Sequence, residues 1–362
     1  MYIYVIIIVL IIILGYILKP SQNQKNKKKY LILIFTILTI VSAIRNYTVG
    51  VDTEQFCRAF EYIGGMSISN AIENTRYELG FVLLCKLLSF ISDNSQILII
   101  ATSIIIMTTI AKFIYEESDD VVLSTLLFVL LNYYAMYMNV MRQAMAIAII
   151  IISYKAFLKN GKNIKFTLAV LVASLFHQSA LVMLILIFFR NKKFSKKYYF
   201  ISLLIGFLVF VFADKLFSIL LSIFSSYQDY QTSVFAESNY FAAIFNAIVL
   251  FIFYTVGIIY IDFKNTKKSD SINFYAYMVM INFLLYIATI KISIFTRATT
   301  YFNIFNIIWI PAFIKNIQNK RDRQIILLML LFFTILYWGI ISVYRPEWYG
   351  VIPYETFMSS NV

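Results

Sequence analysis

Apolar runs long enough to cross a lipid bilayer recur from one end of this sequence to the other, separated by clusters of lysine. The first, MYIYVIIIVLIIILGYIL, fills residues 1–18 without a single charged side chain. A bilayer interior offers the backbone no hydrogen-bonding partner, so such runs fold as helices, which pair their N–H and C=O groups internally. Each span takes about 20 apolar residues, with tilt and shortening tolerated. Of the 362 residues, 61% are hydrophobic and 14% charged, more apolar than a soluble domain requires. The sequence thus predicts an all-α, polytopic integral membrane protein, a single membrane domain over residues 1–362.

Apolar segments fall at 1–18, 30–44, 97–115, 121–138, 140–157, 164–176, 178–189, 198–213, 241–261, 272–290, 298–314 and 324–343. Cationic connections orient them, because lysine and arginine concentrate in cytoplasmic loops. Lys19 and Lys25 to Lys29 follow the first segment. Lys155, Lys159, Lys162 and Lys165 surround a turn at Gly161. RNKKFSKK spans 190–197, FKNTKK 263–268 and KNIQNKRDR 315–323. Placing all five inside gives about twelve crossings with both termini outside. Residues 1–18 lack a basic start and a small-residue cleavage site, so they read as a retained helix rather than a signal peptide. The net charge of +13 sits largely in these loops, so it marks topology and predicts no nucleic-acid partner.

Two segments resist this scheme. LGFVLLCKLLSFI (79–91) is too short for a comfortable span, and crossing there would invert every later lysine loop. It reads as a short re-entrant or interfacial helix. FTLAVLVASLFHQSALVMLILIFF (166–189) has basic loops on both sides. A hairpin of two short helices turning near His177 keeps both loops inside; a single crossing is the rival.

The same path separates arginine from lysine. Six of the nine arginines fall outside or at the outer edge: Arg45, Arg58, Arg76, Arg142, Arg297 and Arg345. Topology accounts for inner lysines and leaves these arginines unexplained. The planar guanidinium fork suits carboxylate or phosphate, so a pyrophosphate at the outer leaflet would fit them. The outer connections at about 45–78 and 226–240 are therefore where chemistry is sought. EESDD (116–120) falls inside and reads as a solvated turn.

Arg142 and Gln143 open the apolar run NVMRQAMAIAIIIISYKAF. They are either a headgroup anchor or an anion site reinforced by the helix N-terminus. His177 is the single histidine, set in an apolar stretch. It either holds a helix break or serves as a general base. Arg297 repeats the outer-edge arginine pattern. Asp52 on spacing alone reads as a solvated loop carboxylate. Cys57 and Cys85 form no CxxC or His/Cys cluster, which argues against zinc, and their spacing argues against a disulfide. GxxxxGK, GxSxG and HExxH are absent from the sequence, so a nucleotide-driven cytoplasmic enzyme is unsupported.

RNYTVGVDTEQF (45–56), MRQAMAIAI (141–149), LFHQSALVML (175–184) and TRATTYFNIF (296–305) together resemble the EpsG family of membrane proteins. Tyr77-Glu78-Leu79-Gly80-Phe81 and Pro353-Tyr354 also fit its pattern. The resemblance implies a Wzy-type polymerase of capsular polysaccharide, exopolysaccharide or O-antigen, in the bacterial cytoplasmic (inner) membrane. Such an enzyme transfers an oligosaccharide from undecaprenyl pyrophosphate to another lipid-linked repeat unit at the outer face. The candidates for catalysis are His177 and Arg142, from their chemistry, and Asp52, from the resemblance; the candidates for binding substrate are Arg45, Glu78, Gln143, Arg297 and Tyr301. No cofactor is implied, although Asp52 and Glu78 leave a carboxylate-held divalent cation open. The partners expected are the undecaprenyl-pyrophosphate-linked oligosaccharide, the lipid bilayer, and flippase and chain-length regulator proteins.

Two readings from other classes stand beside it. A lipid-linked oligosaccharide flippase would also present cations to pyrophosphate, but would line a path from inside to outside with polar groups. The inner helix halves here are nearly bare of charge. A membrane acyltransferase would use His177 as base, usually with a carboxylate or second histidine, and no carboxylate lies near His177 in sequence.

Overall fold

The computed structural model describes residues 1–223, 240–261, 263 and 269–359. Residues 226–239 of the second outer connection and 264–268 of FKNTKK lie outside the described residues. The described residues form helices joined by turns and loops, with no strand beyond an isolated antiparallel bridge between Arg45 and Thr356. It divides into two compact units, residues 1–184 with 326–362, and residues 185–325.

The first unit holds α1 (Tyr2–Leu18), α2 (Gln24–Ala43), α3 (Thr53–Gly64), α4 (Ile68–Asn74), α5 (Leu79–Ser89), α6 (Gln96–Glu117), α7 (Val121–Leu130), α8 (Tyr133–Asn139), α9 (Met141–Ser153) and α10 (Asn163–Ser174). The second holds α11 (Leu186–Phe189), α12 (Lys196–Ile223), α13 (Tyr240–Tyr260), α14 (Ser269–Thr289) and α15 (Thr296–Asn316). Most of α16 (Lys320–Tyr344) belongs to the first.

Each predicted apolar segment is helical, yet twelve crossings are not confirmed. Among the described residues, six helices are long and apolar enough to span: Gln96–Glu117, Met141–Leu158, Lys196–Lys215, Ala242–Tyr260, Ser271–Thr289 and Lys320–Tyr344. A seventh arises if α7 and α8 count as one span bent by 57°. The shortfall has a physical cause. α1 has 17 residues, α10 has 12, and α2 opens on QKNKKK. The predicted segment 121–138 is broken where Asn132 takes a left-handed conformation (φ 60°).

Within the first unit, the lysine clusters at 25–29 and 155–165 share one end. Lys27 Nζ donates to the Ser118 carbonyl (3.4 Å), Lys155 pairs with Glu116 (2.8 Å), and Lys159 Nζ donates to both carboxylate oxygens of Glu117 (2.6 and 2.7 Å). EESDD is therefore not the solvated turn expected. Its glutamates are ion-paired to Lys155 and Lys159, just beyond the end of α9, and its Asp120 caps α7 by accepting from Val122 and Leu123 N–H.

At the opposite end the C-terminal segment folds back over the start of the first outer connection. Asn46 N–H donates to Glu355 O (2.9 Å), Gly50 N–H to Gly350 O (2.8 Å) and Tyr354 Oη to Val41 O (2.8 Å). The connection expected at 45–78 is thereby anchored, and it contains α3 and α4. The amphipathic α3 buries Phe56, Phe60 and Ile63 against Phe81, Val82 and Cys85 of α5. Cys57 and Cys85 are free and buried. α5 has 11 residues, about 16 Å at 1.5 Å per residue, which keeps it a half-helix.

In the second unit α14 and α15 pack along their length. Buried amides occupy their seam: Asn282 Nδ2 donates to Asn303 Oδ1 (3.0 Å), which also accepts from Tyr286 Oη (3.2 Å). Gly257 of α13 faces the buried Trp309, where a Cβ would come within 2.3 Å of the indole.

Candidate functional site

Three titratable side chains from distant parts of the first unit converge at the start of α5. Glu78 precedes that helix in extended backbone (ψ 150°), which leaves its side chain free of the helix's own N–H groups. One carboxylate oxygen accepts from Arg142 Nη1, on the first turn of α9. The other lies 3.5 Å from His177 Nδ1 and accepts from the Gln178 backbone N–H at 3.3 Å. Glu78 and Arg142 retain about a fifth of their side-chain exposure, and His177 half of that.

Local chain features produce this convergence. α10 ends at Ser174, the turn at Leu175–His177 follows, and a tight 3-10 run begins at Gln178. His177 thus occupies the break, its N–H bonded to Ala173 O (3.1 Å). The turn docks on α5 through Gly80, whose N–H donates to Leu175 O at 2.7 Å. A Cβ on Gly80 would stand 2.7 Å from that same oxygen and 2.9 Å from the Phe176 ring. Only glycine lets the two segments approach closely enough for Glu78 to reach His177.

Aromatic rings hold the guanidinium. Arg142 Cζ lies 5.0 Å from the Tyr77 ring centroid and 5.6 Å from that of Phe56. Phe56, Tyr77 and Phe81 pack on one another at 5.2–6.4 Å, and Gln55 Nε2 donates to Tyr77 Oη (3.2 Å). Cation–π contacts of this kind contribute about 0.5–2 kcal/mol. Electrostatics completes the arrangement. Burial pushes the Glu78 carboxyl up, but the contact with His177 and the charge of Arg142 outweigh it and hold it below its ordinary value of 4.5. Glu78 lies in none of the candidate spans.

Residues 28–356 match the sequence pattern of the EpsG family. The chain belongs to the EpsG family. That family's known role is Wzy-type polymerisation, and the long apolar helices make this member a multi-pass membrane protein. No curated protein and no solved structure matches the chain.

The fold sorts the residues that suggested EpsG into separate places. His177, Arg142 and Glu78 meet. Asp52 caps α3 one helical turn before Phe56, whose backbone N–H donates to the Asp52 carbonyl (3.2 Å). Gln143 is buried on α9, about 100° around the helix from Arg142. Arg297 and Tyr301 stand one turn apart on α15 of the second unit, Tyr301 fully buried.

Arg45 is not the open cation expected of an outer arginine. It is 1% exposed, and its guanidinium joins three helices by donating to the Ser42 carbonyl, Ser42 Oγ (3.0 Å), Ser103 Oγ (3.2 Å) and Met138 O (3.0 Å). The carbonyl ends of α2 and α8 attract a cation for the reason any helix C-terminus does. Among the described residues, no three His, Cys, Asp or Glu side chains converge to hold a metal ion.

A second correction concerns His177. The absence of a nearby carboxylate in sequence counted against an acyltransferase, and Glu78 supplies one across the fold. The aromatic support from Phe56 and Tyr77 was not foreseen. The available signal was the YELGF stretch, where an acid flanked by tyrosine and glycine opens an apolar helix.

Proposed function

We propose that this EpsG protein is a membrane glycosyltransferase that polymerises undecaprenyl-pyrophosphate-linked oligosaccharide repeat units at the outer face of the bacterial cytoplasmic membrane, with His177 as general base. The observation that carries the reading is the Glu78 carboxylate, gripped by Arg142 on one oxygen and set against His177 Nδ1 on the other.

The chemistry follows from that order. A carboxylate beside Nδ1 favours the tautomer protonated there and leaves Nε2 as the basic nitrogen. Nε2 takes the proton of an acceptor sugar hydroxyl as its oxygen attacks the anomeric carbon of the donor. The anomeric C–O bond to pyrophosphate breaks, and the lipid pyrophosphate leaves with the bonding electrons. Glu78 stabilises the imidazolium formed. Cationic side chains at the outer face offset the charge that develops on the leaving group. Arg142 is engaged by Glu78, so a pyrophosphate reaching it shares the guanidinium with that carboxylate. Asp52, at the start of α3, orients a sugar hydroxyl. Arg297, on α15, binds substrate in this reading, with the buried Tyr301 supporting it from the next turn.

A second reading draws on the same contact: a histidine–carboxylate pair also suits a membrane acyltransferase. Gel analysis of surface glycan separates the readings. His177→Gln keeps a polar side chain but no base near neutral pH, so it should lower polymerisation by about 10²–10⁴-fold, leaving single repeat units on the surface. A full ladder lacking only acyl groups would establish the acyltransferase. Loss of all surface sugar would point to a flippase.

A further inference from the structure

A groove of about 500 Å³ runs along the seam between α2 and α6, toward the lysine-rich end of the first unit. The volume falls within the roughly 300–1,000 Å³ of small-molecule sites. Its wall is apolar, with Phe35 buried and Ile32 and Ile40 open to the surroundings at 56% and 51% exposure. The groove exists because Thr36, Thr108 and Ala111 place short side chains where neighbouring positions carry isoleucine, leucine or phenylalanine. Lys28 and Lys112 both stand at the lysine-rich end. Their neighbour Lys27 is already committed to the Ser118 carbonyl and the Tyr115 ring.

We propose that this groove binds an anionic phospholipid of the cytoplasmic leaflet, with its phosphate between Lys28 and Lys112 and an acyl chain laid along Thr36, Ile40 and Thr108. Three features select that occupant. The charge is at one end only, as a headgroup over a tail requires. From Lys28 to Ile40 the helix rises about 18 Å, comparable with half of a hydrocarbon core about 30 Å thick. The exposed isoleucines lie beside α6, a helix long and apolar enough to span a bilayer, which favours a lipid over a free phosphate or a water-soluble peptide. Basic residues at the cytoplasmic boundary attract anionic lipids in general. The threonine-lined channel adds a place for the chain, and so a defined stoichiometry. The lipid would brace the inner part of the α2–α6 seam, which the Ser42 Oγ–Ser103 Oγ hydrogen bond (2.8 Å) closes at the other end.

The test uses the full-length protein in nanodiscs of equal phosphatidylglycerol and phosphatidylethanolamine, with retained lipids counted by native mass spectrometry. Wild type should retain phosphatidylglycerol over phosphatidylethanolamine by about tenfold. Lys28→Gln with Lys112→Gln should bring that ratio close to one. Thr108→Phe keeps both charges and fills the channel, so it should lower retention of phosphatidylglycerol as well. The single variant Lys28→Gln should show a partial loss should the double variant fail to insert. Equal retention of the two lipids by wild type overturns the proposal. So does a preference that survives either the charge or the channel substitutions. Dimer formation by disulfide cross-linking of Thr36→Cys or Thr108→Cys, in a background lacking Cys57 and Cys85, would assign the groove to a second copy of the chain and overturn it too.

Discussion

The carboxylate of Glu78 lies 3.5 Å from Nδ1 of His177, although the two residues are far apart in the first unit's sequence. Neither residue alone distinguishes a structural from a chemical role. Together, with Arg142 on the remaining carboxylate oxygen, they form a polar chain with the Glu78 carboxylate in the middle.

Arg142 is held by its plane as much as by its charge. Lysine at this position would keep the charge and lose both the fork and the stacking on Tyr77 and Phe56. Arg142→Lys should therefore preserve the amount of protein in the membrane while removing most of the polymerisation. Glycan chain length measured beside membrane protein level checks this. A full-length ladder would reduce Arg142 to a headgroup anchor.

Gly80 sets the distance between α5 and the turn that carries His177. Gly80→Ala forces a methyl against the Leu175 carbonyl and the Phe176 ring, an overpacking of about 1–3 kcal/mol. The fold can relieve it by moving the turn away from Glu78. Activity should then fall by more than thermal stability does. Unchanged chain length together with unchanged melting in detergent would show that the approach is not needed.

The ion pair at Glu78 should also be visible in the pH dependence of stability. Its carboxyl is held below 4.5 in the folded protein, so its stabilising contribution is complete above the unfolded value and is lost as pH falls through the folded one. The difference in melting temperature between wild type and Glu78→Gln should shrink as pH falls below about 4.5. A difference that grows on acidification would contradict the assigned direction.

Topology is open to cysteine labelling in intact cells, in a background lacking Cys57 and Cys85. Position 26 should be protected from an impermeant reagent. Residues 190–197 should also be protected if 164–189 turns back at His177. Labelling within 190–197 from outside would mean a single crossing there. Labelling at position 26 would invert the map.

Sequence alone determined the helical membrane class, because hydropathy over a window of residues is a local property and the bilayer penalises any unpaired backbone. It also marked Arg142 and His177 as polar residues out of place in apolar surroundings, with Glu78 entering through the family resemblance, and it offered a helix break at His177. It did not register the left-handed turn at Asn132, which breaks the 121–138 segment. The tertiary structure decided which polar residues work together. Arg45 and Arg142 read alike as outer-edge cations, yet Arg45 is enclosed by the carbonyls of α2 and α8 while Arg142 faces Glu78. That difference depends on which helix ends are packed side by side, and the energy of an ion pair depends on a distance of a few ångströms that no linear spacing encodes.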